Sequence, residues 1–511
     1  MTSFETNPPE RVSTGVAGLD DVLLGGFARA GFYLLQGDPG SGKTTVALQF
    51  VQARLKANER CLYVSLTESR ADLENACRSH GWSLAGLELR DLTRSGADLE
   101  AQSHASVFHP ADTELSDLMH AVRDEVERVQ PQHVVFDGLS ELRLLAGEPL
   151  RYRRTLLSLK ALFVSKGVTA LLLDDRSAAF SDTQPESLVG GNIVLERFTP
   201  AYGRARRRLF VTKVRGAHFR EGFHDYDIIT GGVMVYPRLV AGEHHDRFDT
   251  ALCSSGIQNL DTMLGGGLTA GSTTLLLGPA GAGKSTTAMQ FVMAGLKAEK
   301  KAAVYVFDEV MHTLLERSEK LSFGSAGGIR SFVQEGVLHI QQVDPAEMSP
   351  GAFAHEVQRA VAAGARVVVI DSLNGYLNAM PEERFLTTHL HELFAYLNQK
   401  GVLTIIVVAQ HGMIASGSGQ AGNIDVSYLA DSVLLFRYYE AAGEVSQAIS
   451  VFKKRTGPHE RSIRRLTIDA AGIKVGEPLR EFRGIMTGVP QYQEADLNRA
   501  LEPGRNPDAD V

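Results

Sequence analysis

The stretch Gly37-Asp38-Pro39-Gly40-Ser41-Gly42-Lys43-Thr44 follows a short apolar run and precedes a segment whose apolar residues have helical spacing. It fits the pattern G-x-x-x-x-G-K-[ST] in the context that this pattern requires, between a strand and a helix. The glycines of such a loop let consecutive backbone amides turn onto phosphate oxygens, and the helix N-terminus adds a positive partial charge. The sequence therefore predicts a phosphate-binding loop here.

The same pattern occurs a second time, as Gly278-Pro279-Ala280-Gly281-Ala282-Gly283-Lys284-Ser285. The offset of 241 residues from Lys43 to Lys284 also separates Asp20 from Asp261. A register held over that span indicates an internal duplication. We expect an N-terminal arm (1–12), a first domain (13–240), a linker (241–253), a second domain (254–490) and a C-terminal tail (491–511).

Within each copy, short apolar runs alternate with segments of helical spacing. We predict buried strands at 62–66, 134–136 and 168–173 in the first copy, and at 304–307, 367–370 and 403–408 in the second. Alternating strands and helices are typical of a parallel sheet covered on both faces. The expected fold class is α/β, with tandem duplicated RecA-like P-loop NTPase domains, each a mainly parallel sheet flanked by helices.

Composition argues against several classes of protein. A formal net charge of −8 disfavours a protein that coats nucleic acid, so no nucleic-acid partner is expected. The three cysteines are too few and too scattered for a disulfide framework or a zinc cluster. No apolar run approaches the roughly 18 residues that span a bilayer, and the polar N-terminus does not resemble a signal peptide. We therefore expect a cytoplasmic protein without a membrane partner.

The two loops predict ATP and Mg²⁺ as ligands. The lysine of such a loop reaches the β and γ phosphates, and the hydroxyl that follows it binds Mg²⁺. The predicted nucleotide-binding residues are Gly37, Gly40, Ser41, Gly42, Lys43, Thr44 and Thr45 in the first copy, and Gly278, Gly281, Ala282, Gly283, Lys284, Ser285 and Thr286 in the second.

A second magnesium contact is expected from an acid at the end of a hydrophobic strand. Asp137 and Asp371 each end such a run, downstream of a phosphate loop. Many buried strands end in aspartate, but the position after the loop favours a metal ligand. We therefore predict Thr44 with Asp137, and Ser285 with Asp371, as metal-binding pairs.

A further acid is needed to orient or deprotonate the attacking group. Glu68 and Glu309 hold matching positions just after a predicted strand, and their predecessors are Thr67 and Asp308. An acid at the end of a strand is usually a solvated loop residue, but the shared register favours a catalytic role.

At these positions the chain resembles the KaiC family, the tandem ATPases at the centre of the cyanobacterial circadian clock. The likeness runs from about Ser13 to Pro490. Besides the two loops, its most specific elements are Leu66-Thr67-Glu68-Ser69, Phe307-Asp308-Glu309-Val310, Lys213-Val214-Arg215-Gly216, Lys453-Lys454-Arg455, and Tyr428-Leu429-Ala430-Asp431 with Glu444-Val445-Ser446-Gln447-Ala448.

The resemblance implies a homohexamer of two stacked rings, with ATP at the subunit interfaces. In such rings a basic strand of the neighbouring subunit reaches the γ-phosphate. Lys213 and Arg215 take this role in the first ring, and Lys453 and Arg455 in the second, at a constant offset of 240 residues. The alternative for these cations is a solvated strand end. KaiB-like or other regulatory proteins are the implied partners.

The family's second ring is a serine and threonine autokinase and autophosphatase. Its adjacent serine and threonine fall on Ser427 and Tyr428, so this chain keeps the serine and replaces the threonine. Asp308 and Glu309 then act as base and charge partner for transfer to Ser427, since a serine hydroxyl needs a positioned carboxylate. The alternative is an ordinary loop serine. In the first ring, Thr67 replaces the first of the family's two acids, which implies weak hydrolysis or a role for Glu68.

Two functions of other classes remain open. A RecA-like recombinase or helicase shares this core, but the segment from 411 to 436, where such proteins carry basic residues, contains no lysine or arginine. A nucleotide-gated signalling scaffold that phosphorylates nothing is favoured by Thr67 and Tyr428.

Overall fold

The structure is a computed structural model and describes residues 10–93, 110–176, 184–244, 246–321, 328–344, 346–378, 386–410, 427–441, 443–485 and 491–492. Most of the predicted N-terminal arm and C-terminal tail, and the glycine- and serine-rich segment 412–422, lie outside these residues. The chain divides after Arg238 into two compact units.

The first unit is an α/β domain. Its strands are β1 (Arg11–Val12), β2 (Phe27–Ala28), β3 (Phe32–Gly37), β4 (Cys61–Ser65), β5 (Glu88–Asp91), β6 (His133–Asp137), β7 (Thr169–Asp175), β8 (Gly191–Phe198), β9 (Arg206–Val214), β10 (His224–Ile229) and β11 (Gly232–Tyr236). Its helices are α1 (Leu19–Val22), α2 (Lys43–Lys56), α3 (Arg70–Ser79), α4 (Pro110–Val129), α5 (Leu139–Ala146), α6 (Pro149–Ser165) and α7 (Gln184–Leu188).

The second unit repeats this arrangement. Its strands are β12 (Leu252–Cys253), β13 (Leu268–Thr269), β14 (Thr273–Gly278), β15 (Lys301–Val306), β16 (Leu338–Gln342), β17 (Ala365–Asp371), β18 (Leu403–Ala409), β19 (Ser432–Ala441), β20 (Glu444–Lys454), β21 (Ile463–Asp469), β22 (Gly472–Pro478), β23 (Phe482–Arg483) and β24 (Gln491–Tyr492). Its helices are α8 (Gln258–Met263), α9 (Lys284–Lys297), α10 (Met311–Lys320), α11 (Gly328–Gln334), α12 (Pro350–Ala362), α13 (Leu373–Asn378) and α14 (Leu386–Gln399).

Each unit is built on one nine-stranded sheet among the described residues. The strand order is β11-β10-β9-β8-β3-β7-β6-β4-β5 in the first unit and β16-β15-β17-β18-β14-β19-β20-β21-β22 in the second. The strands from β8 to β5, and from β16 to β19, run parallel, and the last three strands at the other edge run antiparallel. The predicted class of tandem, mainly parallel sheets flanked by helices is confirmed.

Alternating side chains of each central strand enter two separate cores. In β3, Leu34 packs with Leu156 and Phe163 of α6 on one face of the sheet. Leu35 packs with Phe50 of α2 on the other face. Burial on both faces explains why the strands read as continuous apolar runs. Among the described residues, no helix has the length and apolar character needed to cross a bilayer.

Twin turns open the two domains. The carboxylate of Asp20 accepts hydrogen bonds from the backbone N–H and the hydroxyl of Thr14, at 2.8 and 2.6 Å. Asp261 accepts the same two bonds from Ser255, both at 2.7 Å. The repeated Ser-x-Gly and Leu-Asp elements therefore build the same local structure in each domain.

Candidate nucleotide sites

The first phosphate loop lies at the carboxyl end of β3, where β3 is flanked by β7 and β8. The loop starts at Gly37, the last residue of the strand, and α2 begins at Lys43. Gly40 and Gly42 have φ angles of 76° and 100°, which favour glycine. A Cβ at Gly42 would lie 2.6 Å from Cδ1 of Ile228. The loop therefore needs its glycines for both conformation and space.

The Lys43 side chain folds back over the first loop. Its ammonium donates to the carbonyl oxygens of Gly37 and Asp38, at 2.8 and 3.2 Å. It also forms an ion pair with Oδ1 of Asp175 at 2.5 Å. Asp175 ends β7 and lies beside Gly37 in the sheet register. The first loop lysine is therefore paired with a carboxylate of its own domain.

The second phosphate loop repeats the turn, but its lysine has different contacts. Gly281 and Gly283 have φ angles of 75° and 95°, and α9 begins at Lys284. The Lys284 ammonium donates to the carbonyl of Pro279 at 2.7 Å, and the residue is only 6% exposed. Burial lowers the pKa of Lys284 below its usual range.

The remaining predicted loop residues lie in or next to these turns. Ser41 is buried, and its carbonyl accepts a hydrogen bond from the Tyr226 hydroxyl at 2.6 Å. Ala282 and Thr286 are buried, whereas Thr45 is half-buried in the first turn of α2. The hydroxyl of Tyr226 thus ties β10 to the first loop.

In the second domain the two predicted magnesium ligands, Ser285 and Asp371, lie near each other. Burial raises the pKa of Asp371, the last residue of β17, and the nearby Ser285 hydroxyl acts in the opposite direction. Hydroxyl and carboxylate oxygens are the hard donors that Mg²⁺ prefers, and this ion usually uses few protein ligands beside phosphates and water. The pair therefore fits Mg²⁺, although the described residues contain no cluster of three or more His, Cys, Asp or Glu for a metal.

The corresponding acid of the first domain is held by its neighbours. Asp137 is buried at the end of β6, and its carboxylate accepts hydrogen bonds from the Tyr63 hydroxyl at 2.6 Å and the Thr67 hydroxyl at 3.3 Å. Burial raises the pKa of Asp137. Thr44 is half-buried in the first turn of α2. Thr67 therefore contributes a hydrogen bond at the position where the second domain has Asp308.

The predicted catalytic acids lie near the predicted metal-binding acids Asp137 and Asp371. Burial raises the pKa of both Glu68 and Glu309, and the charges of Asp137 and Asp371 act in the same direction. Glu309 forms an ion pair with Arg317 of α10 at 3.0 Å.

Asp308 has a partner just after the neighbouring strand β17, because the hydroxyl of Ser372 donates to its carboxylate. In the first domain Gly138 follows Asp137 as Ser372 follows Asp371, and a Cβ at Gly138 would lie 2.7 Å from Cγ2 of Thr67. Thr67 and Gly138 in the first domain thus stand where the second domain has Asp308 and Ser372.

The predicted basic fingers lie level with the amino ends of the parallel strands, whereas the loops follow the carboxyl ends of these strands. Lys213 pairs with Asn192 of β8, which pairs with Leu34 of β3, three residues before Gly37. A strand rises about 3.3 Å per residue, so the backbone of Lys213 lies roughly 10 Å from the loop along the strand direction. Lys453 holds the same place, three residues before Gly278, through Val433 and Leu275.

The finger side chains contact the segment that enters the last parallel strand. Lys213 donates to the carbonyl of Glu186, and Arg215 donates to the carbonyl of Ser187 at 2.7 Å. Lys453 donates to the carbonyl of Ala430 at 2.8 Å, and Arg455 lies 3.6 Å from the carboxylate of Asp431.

Ser427 begins a short 3₁₀ turn, Ser427–Leu429, in this same segment of the second domain. Arg455 approaches the carbonyl of Tyr428 at 3.5 Å, and the Tyr428 residue is 54% exposed. The turn precedes β19, so it lies at the amino edge of the sheet, away from the loop that carries Lys284.

Sequence reasoning missed Asp175, Ser372 and Arg317. The predicted strand 168–173 stops short of β7, which continues to Asp175 and so places this carboxylate at the loop. The signal was present, because Asp174 and Asp175 follow the apolar run directly.

Comparisons with known proteins agree with this architecture. A model of the KaiC ATPase family matches residues 12–240 and 253–480. The circadian clock oscillator protein KaiC of Acaryochloris marina is 26% identical over 96% of this chain and 93% of its own length. The circadian clock protein KaiC3 of Synechocystis is 24% identical over 96% of this chain and 97% of its own length. Because the family match covers both domains, this chain is a member of the KaiC family of ATPases.

Proposed function

We propose that this KaiC-family ATPase is a homohexamer of two rings that binds Mg²⁺ and ATP at both loops, hydrolyses ATP, and transfers phosphate to its own Ser427. The observation that carries this proposal is the position of the basic fingers. Each finger lies level with the amino ends of the parallel strands, and its own loop follows their carboxyl ends. Its cations can therefore serve a neighbouring subunit.

The proposed reaction uses the groups of one loop and one neighbouring finger. Lys284 would hold the β and γ phosphates, and Ser285 and Asp371 would hold Mg²⁺, which would supply positive charge to the phosphates. Asp308 accepts the proton of the attacking hydroxyl, and the electron pair of the broken bond stays on the β-phosphate oxygen of ADP. Lys453 and Arg455 of the adjacent subunit stabilise the charge that develops on the transferred group.

Two features support Ser427 as an acceptor in a neighbouring subunit. Its turn lies at the amino edge of the second sheet, next to the finger residue Arg455. A site that receives this finger from the adjacent subunit therefore also receives the segment of Ser427. The exposed Tyr428 holds the place of the family's threonine, so we propose transfer to one hydroxyl.

We propose 13–240 and 254–490 as the functional domains, with a cytoplasmic role in clock-type or related signalling and with KaiB-like or other regulatory partners. The family match at 12–240 and 253–480 and the division after Arg238 support these boundaries. The linker belongs with the second unit, since the backbone N–H of Ala241 donates to the Glu392 carboxylate of α14 at 3.0 Å.

A nucleotide-gated ring without self-phosphorylation is the second candidate. Two departures from the family pattern favour it: Thr67, which hydrogen-bonds Asp137, replaces the first of the two acids, and the exposed Tyr428 replaces the family's threonine.

Intact mass spectrometry with phosphosite mapping, after incubation with Mg-ATP, separates the two candidates. Phosphate on Ser427 that disappears in Lys284→Ala supports the autokinase. ATP hydrolysis without added phosphate supports the nucleotide-gated ring. If nucleotide binding is unchanged in both Lys43→Ala and Lys284→Ala, both candidates are contradicted.

A further inference from the structure

Asp175 and Ala409 hold the same place in the two domains. Asp175 pairs with Gly37, the first residue of the first loop, and Ala409 pairs with Gly278, the first residue of the second loop. A carboxylate therefore lies beside one loop lysine, and a methyl group lies at the corresponding position beside the other. This difference is independent of the paired-acid positions.

The ion pair with Asp175 completes the hydrogen bonding of Lys43. An ammonium group has three donors. Those of Lys43 are directed to the carbonyls of Gly37 and Asp38 and to the Asp175 carboxylate, the shortest of the three at 2.5 Å. A phosphate oxygen that binds Lys43 must therefore replace one of these partners, and the carboxylate is the only anionic one among the three.

The charge of Asp175 also acts on the neighbouring strand. Burial is the main cause of the raised pKa of Asp137, and the negative charge of Asp175 adds to it. In the second domain, Asp308 exerts this effect on Asp371. The second carboxylate near each predicted metal-binding acid therefore comes from a different strand end: Asp175 in the first domain and Asp308 in the second. Of these two, Asp175 contacts its loop lysine.

We propose that Asp175 competes with the terminal phosphate of a nucleoside triphosphate for Lys43, and so reduces the preference of the first site for triphosphate over diphosphate. This inference rests on nucleotide binding at the proposed sites. A γ-phosphate brings further negative charge to the ammonium that Asp175 holds, whereas a diphosphate leaves more of the ion pair in place. Asp175 is 41% exposed and has room to move away when displaced.

Equilibrium binding to the full chain tests the proposal. In a Lys284→Ala chain, Asp175→Asn removes the charge and keeps the shape. It should strengthen binding of an ATP analogue with a nitrogen bridge between the β and γ phosphates by about tenfold, and binding of ADP by less than about threefold. Asp175→Glu retains the charge and should leave the ratio of the two affinities within about threefold of its original value.

The second domain offers the matched control. In a Lys43→Ala chain, Ala409→Asp places the carboxylate beside Lys284 and should weaken the ATP analogue more than ADP. An unchanged affinity ratio in Asp175→Asn, or equal weakening of both nucleotides, would overturn the proposal and leave Asp175 with a structural role. Absence of binding in the parent Lys284→Ala chain would instead count against nucleotide binding at the first site.

Discussion

The two domains share one scaffold and differ in the polar groups around the phosphate loops. Both sheets have the same strand order, and both loops turn through glycines at corresponding positions. In the first domain the loop lysine is paired with Asp175, and the paired-acid position holds Thr67. In the second domain Lys284 is buried without that carboxylate, and Asp308 accepts from Ser372.

This comparison shows how a duplicated fold can keep one scaffold while the polar groups at its two loops differ. The sheets keep the same register, so each loop, predicted metal-binding acid and predicted finger lies at the same point of the scaffold. Different residues at a few strand ends then change the charge beside each loop. In the function proposed above, the second domain carries the phosphate transfer, and the first domain binds nucleotide beside a carboxylate that the second domain lacks.

Loss of a finger should have the largest effect. Arg455→Ala should lower phosphate transfer in the second domain by about 10³-fold or more, because an arginine supplied to the transition state contributes that much in related reactions. Mixing Arg455→Ala chains with Lys284→Ala chains should restore part of the activity, since a mixed interface combines an intact loop with an intact finger. Phosphate incorporation measures both results. Failure of the mixture to recover would contradict delivery from a neighbour.

Replacing the residue at the paired-acid position should lower the rate much more in the second domain than in the first. Asp308→Asn should lower phosphate transfer by about 10²- to 10⁴-fold, the usual contribution of a positioned base. Thr67→Val should change ATP hydrolysis in a Lys284→Ala chain far less. Single-turnover kinetics measure both variants. A full rate in Asp308→Asn would move the role of base to Glu309.

Loss of the twin turns should affect both domains equally. Asp20→Asn and Asp261→Asn each remove a charged acceptor of a backbone N–H and a hydroxyl, and each should lower the free energy of unfolding of its own domain by about 1–3 kcal/mol. Calorimetry can follow both transitions. The single tryptophan of the chain, Trp82, packs in the first domain, so its fluorescence reports that transition separately. Unequal losses would show that the shared register conceals different local energetics.

The smallest effect concerns acid sensitivity of the first domain. His133 is buried beside Glu59 at 2.9 Å, and burial lowers its pKa despite this partner. The unfolded chain binds a proton near pH 6.5, whereas the folded chain resists it. The stability contribution of neutral His133 should therefore be lost as pH falls below about 6.5, at no more than about 1.4 kcal/mol per pH unit.

Substitution of His133 should reduce this slope without abolishing it, because the pKa of buried His224 is lowered as well. Val367 occupies the position of His133 in the second sheet. Trp82 fluorescence during denaturation of His133→Gln at pH 7.5 and 5.5 measures the change. An unaltered slope would assign the acid sensitivity to other groups.

Sequence reasoning could predict the tandem fold because a duplicated P-loop and continuous apolar strands are local signals. It also singled out Ser285 and Asp371, which lie near each other in the second domain. Their role as metal ligands stays a prediction. It could not predict that Lys43 is paired with Asp175 or that Ser372 donates to Asp308. Those contacts join residues at the ends of strands and at the start of a helix that are neighbours only in the folded domain, so no periodicity or spacing along the chain reports them.

The distance between each finger and its own loop has a consequence for how activity depends on protein concentration. If each finger serves a neighbouring subunit, as proposed, a lone protomer holds a loop without the cations that complete it, and its turnover is negligible. The rate per chain should then rise steeply with concentration over the range in which protomers associate, and become constant once association is complete. Dilution would therefore lower the rate per chain, and the amount of this protein in the cell would determine how fast each chain reacts.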